Sequence, residues 1–164
     1  MGENPEDLDL RGRLLTDAGR FEEALDCFER AIAMSPNDPD LWCDRGALLW
    51  KMQRNQDAHD SVLRALAIDP THPHSCFNQG IGFLENGIAD EAITWFDRVL
   101  SSDPHHGEAW HNKGEALFRL RRFGEARSCF AEGVRCGNLL SEQGLRACKF
   151  ATAIDNTPNS RPAK

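Results

Sequence analysis

Positive charge is in short supply in this chain. Nineteen lysines and arginines face twenty-six aspartates and glutamates, for a formal charge of -7. An acidic chain repels a nucleic-acid duplex, so nucleic acid is not an expected partner. Apolar runs are also short. None approaches the ~20 residues that cross a bilayer, so no membrane partner is expected. The opening Met-Gly-Glu-Asn-Pro-Glu-Asp is acidic and does not read as a secretory signal. Six cysteines occur, but none stands in a paired CxxC spacing. They read as small apolar packing residues in a reducing, cytoplasmic setting. There is no glycine-rich phosphate loop and no Ser/His or Cys/His grouping. No catalytic residue, no cofactor and no enzymatic activity are therefore expected.

What the chain does have is a period. Slid along itself until Gly12 falls on Gly46, it aligns with itself without gaps. Gly12, Gly46, Gly80 and Gly114 coincide, as do Ala24, Ala58, Ala92 and Ala126. Phe28, Val62, Phe96 and Phe130 follow, then Ala31, Ala65, Val99 and Gly133. Leu8, Trp42, Cys76 and Trp110 stand early in each unit. Pro36, Pro70 and Pro104 close the first three, with Asn138 in the fourth. A period of this length marks a stacked architecture in which no unit buries its apolar face alone.

Each unit reads as two helices. Trp42, Gly46 and Leu49 share one face of a first helix, and Ala58, Val62 and Ala65 one face of a second. Asn4-Pro5 and Asp38-Pro39 are good start signals, and His72-Pro73 is a weaker one. Polar breaks at Gly19-Arg20, Gln53-Arg54-Asn55, Asn86-Gly87 and Arg121-Arg122 separate the two helices of each unit. Glycine in a helix interior costs roughly 1 kcal/mol against alanine. Four in register therefore imply close packing, expected against the early alanine of the second helix.

These residues resemble the tetratricopeptide repeat family: Trp or Leu, Gly, a large apolar residue, then Ala, Phe, Ala and Pro in a helix–turn–helix of about 34 residues. Tyrosine is absent, and Leu15, Leu49, Phe83 and Leu117 stand at the aromatic place of the first helix. The resemblance covers residues 5–138. It implies an all-α, right-handed superhelical solenoid of four antiparallel helix pairs plus a capping helix. The expected organisation is a single domain over residues 1–154, with repeats at 5–38, 39–72, 73–106 and 107–140. A capping helix follows at 141–154, with Leu145, Ala147, Cys148 and Ala151 inward and Glu142, Arg146 and Lys149 outward. Residues 155–164 are polar and are expected to be disordered.

The helix beginning at Pro73 carries two apolar stripes: Cys76, Gly80 and Phe83, and Phe77, Ile81 and Leu84. One packs the protein, and the other is free for a partner. In the resembled family that second stripe lines a concave groove formed by the first helices. The equivalent places are Asp9, Arg13 and Thr16; Cys43, Ala47 and Trp50; Phe77, Ile81 and Leu84; and His111, Glu115 and Phe118. A further groove place, often asparagine in the family, holds Leu10, Asp44, Asn78 and Asn112. An asparagine amide can bond a peptide backbone through both of its polar atoms. The expected groove is thus apolar at its centre with polar hooks. The family's carboxylate clamp would need cations where this chain has Asp9 and His74, or Cys43 and Glu108, so that mode is not expected.

The resemblance implies a protein-protein interaction module, an adaptor or scaffold that takes a peptide or amphipathic helix of a partner. Two alternatives stay open: a regulatory or substrate-recognition part of a larger enzyme, and a self-associating assembly scaffold. His72, His74, His105, His106 and His111 gather at the turns. Equivalent places in neighbouring repeats lie about 10 Å apart, too far for ~2.1 Å bonds to one ion, so no metal site is expected.

Overall fold

In the computed structural model, residues 3–155 are described. Nine α-helices and no strand occur among them. They are α1 (Pro5–Asp17), α2 (Phe21–Met34), α3 (Pro39–Lys51), α4 (Asn55–Ile68), α5 (Pro73–Glu85), α6 (Ala89–Ser102), α7 (Gly107–Arg119), α8 (Phe123–Arg135) and α9 (Leu140–Asp155). The chain forms two compact units, Met1–Gln79 and Gly80–Lys164, and the division falls inside α5. The polar end expected to be disordered lies outside the described residues from 156 onward.

The helix starts recur with the period of the sequence. Asn4 accepts from the Asp7 amide at 2.7 Å, and Asp38 accepts from the Asp40 amide at 3.0 Å. The histidines fill the same role better than their type suggests. His72 Nδ1 accepts from the Ser75 amide at 3.3 Å, and His106 Nδ1 from the Ala109 amide at 3.2 Å. Each supplies a partner for a helix-end N–H that would otherwise have none. His72 Nε2 lies 3.0 Å from Asp40 Oδ1. A proton on Nε2 satisfies that contact and leaves Nδ1 free to accept. The Trp42 and Trp110 indoles each donate 2.9 Å to the carbonyl of the proline closing the preceding repeat, Pro36 and Pro104. Cys76 takes that place in the third repeat, with a weaker thiol contact of 3.7 Å to the Pro70 carbonyl.

The breaks are tight turns. Gly19, Gln53, Gly87 and Arg121 hold the same place in successive repeats, and all four adopt left-handed backbone, with φ of 74°, 61°, 76° and 60°. The same conformation recurs whether or not glycine is present, so the helix pairing dictates it. Three second helices, α2, α4 and α8, then open on ion pairs one turn long: Arg20 with Glu23, Arg54 with Asp57 and Arg122 with Glu125. The acidic member lies in the first helical turn, where the helix dipole favours it.

Within each unit, consecutive helices pack as hairpins. In the first, a buried core joins Leu8, Leu15, Phe28, Ile32, Leu48 and Leu49, with Trp42 and Trp50 leaning on it. In the second, Leu117, Ala126, Cys129, Phe130 and Cys148 form a core, flanked by Trp110, Phe118 and Leu145. The recurring glycine has a different partner from the expected alanine. A methyl group on Gly12 would stand 2.7 Å from the Phe28 ring, on Gly80 2.7 Å from Phe96, and on Gly114 2.8 Å from Phe130. A phenylalanine ring covers the missing side chain in three repeats. At Gly46, opposite the smaller Val62, the backbone of the early alanine does come close, with the Ala58 carbonyl at 3.2 Å.

The last helix also departs from expectation. Ser141 and Cys148 are buried, but Ala147 is exposed with Leu140 and Phe150. The inward side is narrow, because small residues on α9 sit against the Phe130 ring: a methyl on Gly144 would meet it at 2.5 Å.

Gly114→Ala must displace the Phe130 ring and should cost about 1–3 kcal/mol. Gly124→Ala, in α8 with nothing within 4 Å, should be neutral or slightly stabilising. Urea unfolding of the two variants checks this; equal stabilities would show that the ring moves freely.

Candidate partner-binding site

The first unit holds a cleft of about 580 Å³. Its walls come from α1 (Pro5, Glu6, Asp9, Arg13), from α3 and its cap (Asp38, Asp40, Leu41, Cys43, Asp44, Ala47) and from the start of α5 (His74, Asn78). Four of the expected partner-binding residues, Cys43, Asp44, Ala47 and Asn78, therefore meet in one place. They meet because position 10 and its equivalents in later repeats stand on the same helical face as the second stripe.

The character of the cleft differs from the apolar groove expected. Five carboxylates line it against one arginine and one histidine. Arg13 Nη2 lies 2.7 Å from Asp9 Oδ2, and its Nε is 3.7 Å from Asp44 Oδ2. One guanidinium thus serves two acids. Asp9 Oδ1 is shielded from solvent and has no hydrogen-bond partner among the described residues. Burial, and then the charge of Asp9, push the Asp44 carboxyl up to about 6. A proton held there can bridge to Asp9, which supplies the donor that Asp9 lacks when both acids are ionised. The two carboxylates are an electrostatically under-neutralised pair whose environment favours a positive group.

Cys43 forms part of the floor and is buried. Asn78 Nδ2 donates to its sulfur at 3.4 Å, and burial raises the thiol to about 11, so it is protonated and unreactive. The Asn78 amide is thereby partly spent inside the protein instead of being wholly open to a peptide. Trp50 leans on the core of the first unit, which removes much of its ring from any open surface. Phe77 is half-buried on α5.

The expected residues of the second unit are arranged differently. Ile81 and Asn112 are half-buried, whereas Leu84 is buried, with 5% of its surface exposed. The Leu84 carbonyl accepts from Arg119 Nη1 at 2.7 Å, and Arg119 Nε pairs with Glu115 at 3.1 Å. His111 turns toward α9: its Nδ1 lies 3.2 Å from Ser141 Oγ, and its ring packs 5.5 Å from Phe130. Burial lowers its basicity. Phe118 stacks at 5.1 Å on Phe123 and flanks the core. Glu115, His111 and Phe118 thus serve contacts inside this unit. Glu6, Asp38 and Asp40 were missed as cleft residues; their signal was the run of acids at the starts of the first two repeats. Among the described residues, no group of three or more potential ligands could hold a metal ion. No described helix is long and apolar enough to cross a membrane.

Helical hairpins that recur with the sequence period, most of them closed by glycine against an aromatic ring, define a helical-repeat protein. A family model described as TPR repeat matches residues 12–53, and another described as Tetratricopeptide repeat matches residues 77–138. The chain belongs to the tetratricopeptide repeat family. Curated protein sequences give no match. Among solved structures, residues 41 to the end of MamA from Desulfovibrio magneticus RS-1 are 15% identical, with a TM-score of 0.71 covering 98% of this chain and 99% of that one. MamA of AMB-1 is 19% identical, with a TM-score of 0.74 over 89% and 88%. YrrB, described as a TPR protein with an unusual peptide-binding site, is 24% identical, with a TM-score of 0.68 over 84% and 71%. At these identities the likeness is one of fold.

The Asp44 pair carries a pH signature. The folded state raises this carboxyl above its ordinary 3.8, so it binds more protons than the unfolded chain between those values. Stability from this group is present at low pH and is lost as pH rises through about 6. Asp44→Asn should therefore stabilise the protein by about 1–2 kcal/mol at pH 7.5, with roughly half that gain at pH 5. Denaturant melts at the two pH values check it; a loss of stability at pH 7.5 contradicts the pair.

Proposed function

We propose that this chain is a protein-interaction module whose first helices take a segment of another protein, in the manner of an adaptor or scaffold. Membership of the tetratricopeptide repeat family supports a binding role in general. The observation that carries the specific reading is the Asp9–Asp44 pair in the α1–α3–α5 cleft of the first unit. A lysine or arginine side chain of the partner that enters the cleft would neutralise the pair, chiefly through the more exposed Asp44. Charge-assisted bonds of this kind are roughly twice as strong as neutral ones. Ala47 in the cleft wall and Phe77, one position before Asn78 on α5, would add apolar contact. Burying these two side chains gains roughly 2–4 kcal/mol against an association cost of ~4–15 kcal/mol. Apolar contact alone is thus too little, and the cation is what makes the complex form.

Selection from a random peptide library on the immobilised protein tests this. Enrichment of peptides with a lysine or arginine beside apolar residues is expected. Binding should fall at least tenfold for the Asp9→Asn, Asp44→Asn double variant. Enrichment of acidic peptides, or undiminished binding to the variant, overturns the reading.

A further inference from the structure

Two exposed apolar faces lie outside the cleft, one on the first helix and one on the last. On α1, Leu8, Gly12 and Leu15 are buried, while Leu10 and Leu14, one turn apart on the opposite side, are 54% and 62% exposed. The repeat itself shows what this place is for. Leu48, the counterpart of Leu14 in the next repeat, is 1% exposed, because it enters the core that Leu8, Leu15 and Phe28 of the preceding repeat provide. Leu14 is the same interlocking position, and it is exposed. On α9, the outward stripe is Leu140, Ala147 and Phe150, at i, i+7 and i+10; Leu140 is 59% and Phe150 72% exposed. Leu139, just before the helix, is 79% exposed and extends the patch.

The charges bordering the two faces are opposite. Glu6, Asp7 and Asp17 border the α1 face, where Arg11 and Arg13 are taken up by Glu3 and Asp9. Arg146 and Lys149 border the α9 face, with Glu142 held 3.9 Å from Arg146. The same asymmetry runs through the chain: residues 1–106 carry twenty acidic and nine basic side chains, and residues 107–164 six and ten.

The geometry points to head-to-tail self-association, in which the α9 face of one copy covers the α1 face of the next. Leu140 and Phe150 take the part that a preceding repeat plays toward Leu48, and Arg146 and Lys149 meet Asp7 and Asp17. Such an interface is heterologous: each copy keeps one face of each kind free, so growth continues unless the copies close into a ring. Glu6 and Arg13 border both the cleft and the α1 face, but the inference does not rest on what the cleft binds.

Sedimentation velocity of the full chain tests it. The mean mass of the wild type should rise with concentration beyond that of a dimer. A Leu10→Glu, Leu14→Glu variant lacks one face and a Leu140→Glu, Phe150→Glu variant lacks the other. Each alone should remain monomeric, with helicity by circular dichroism confirming that it is folded. Mixed in equal amounts, the two retain one intact face each and should form a dimer that grows no further. A wild type that stays monomeric up to millimolar concentration overturns the inference. So does a wild type that associates while the mixture of folded variants does not.

Discussion

The contact on which most of the repeats depend is a phenylalanine ring lying over a glycine. Phe28 on Gly12, Phe96 on Gly80 and Phe130 on Gly114 bring two helices together at a separation that a single methyl group would obstruct. The helix gives up roughly 1 kcal/mol of propensity for the glycine. It recovers a fully buried ring, since all three phenylalanines are at most 1% exposed. The same left-handed turn recurs even in the second repeat, where Val62 stands in place of the ring. The cleft follows from the placement of α1 and α3 together with the start of α5.

The repeat made the fold readable. Its period, carried by glycine, alanine, phenylalanine and proline, located the helices closely, because each of these types answers a local constraint on packing or chain direction. The identity of the packing partner was less legible. Gly80 was expected to face the early alanine of the second helix and instead faces Phe96. Periodicity tells which residues share a face but not which of them fills the gap opposite.

The candidate site was legible in part. Cys43, Asp44, Ala47 and Asn78 do line one cleft. The apolar stripe was harder to judge, since residues at one helical face can be drawn either to a groove or to a neighbouring core. Trp50 and Phe118 lean on cores, and Leu84 is buried. The acidic character of the cleft came from residues outside the stripe, Glu6, Asp38 and Asp40, which are turn and first-turn positions in sequence and become walls only when α1 and α3 stand side by side.

Five of the six thiols are buried, and the sixth, Cys136, is half-buried. Burial holds Cys27, Cys43, Cys129 and Cys148 in the protonated, unreactive form. An alkylating reagent must therefore wait until the surrounding helices part, and its rate of attack becomes a clock for that opening. Cys27, Cys43 and Cys76 lie in the first unit, and Cys129 and Cys148 in the second. The protein thus carries, without any added probe, separate timers for the loosening of its two halves.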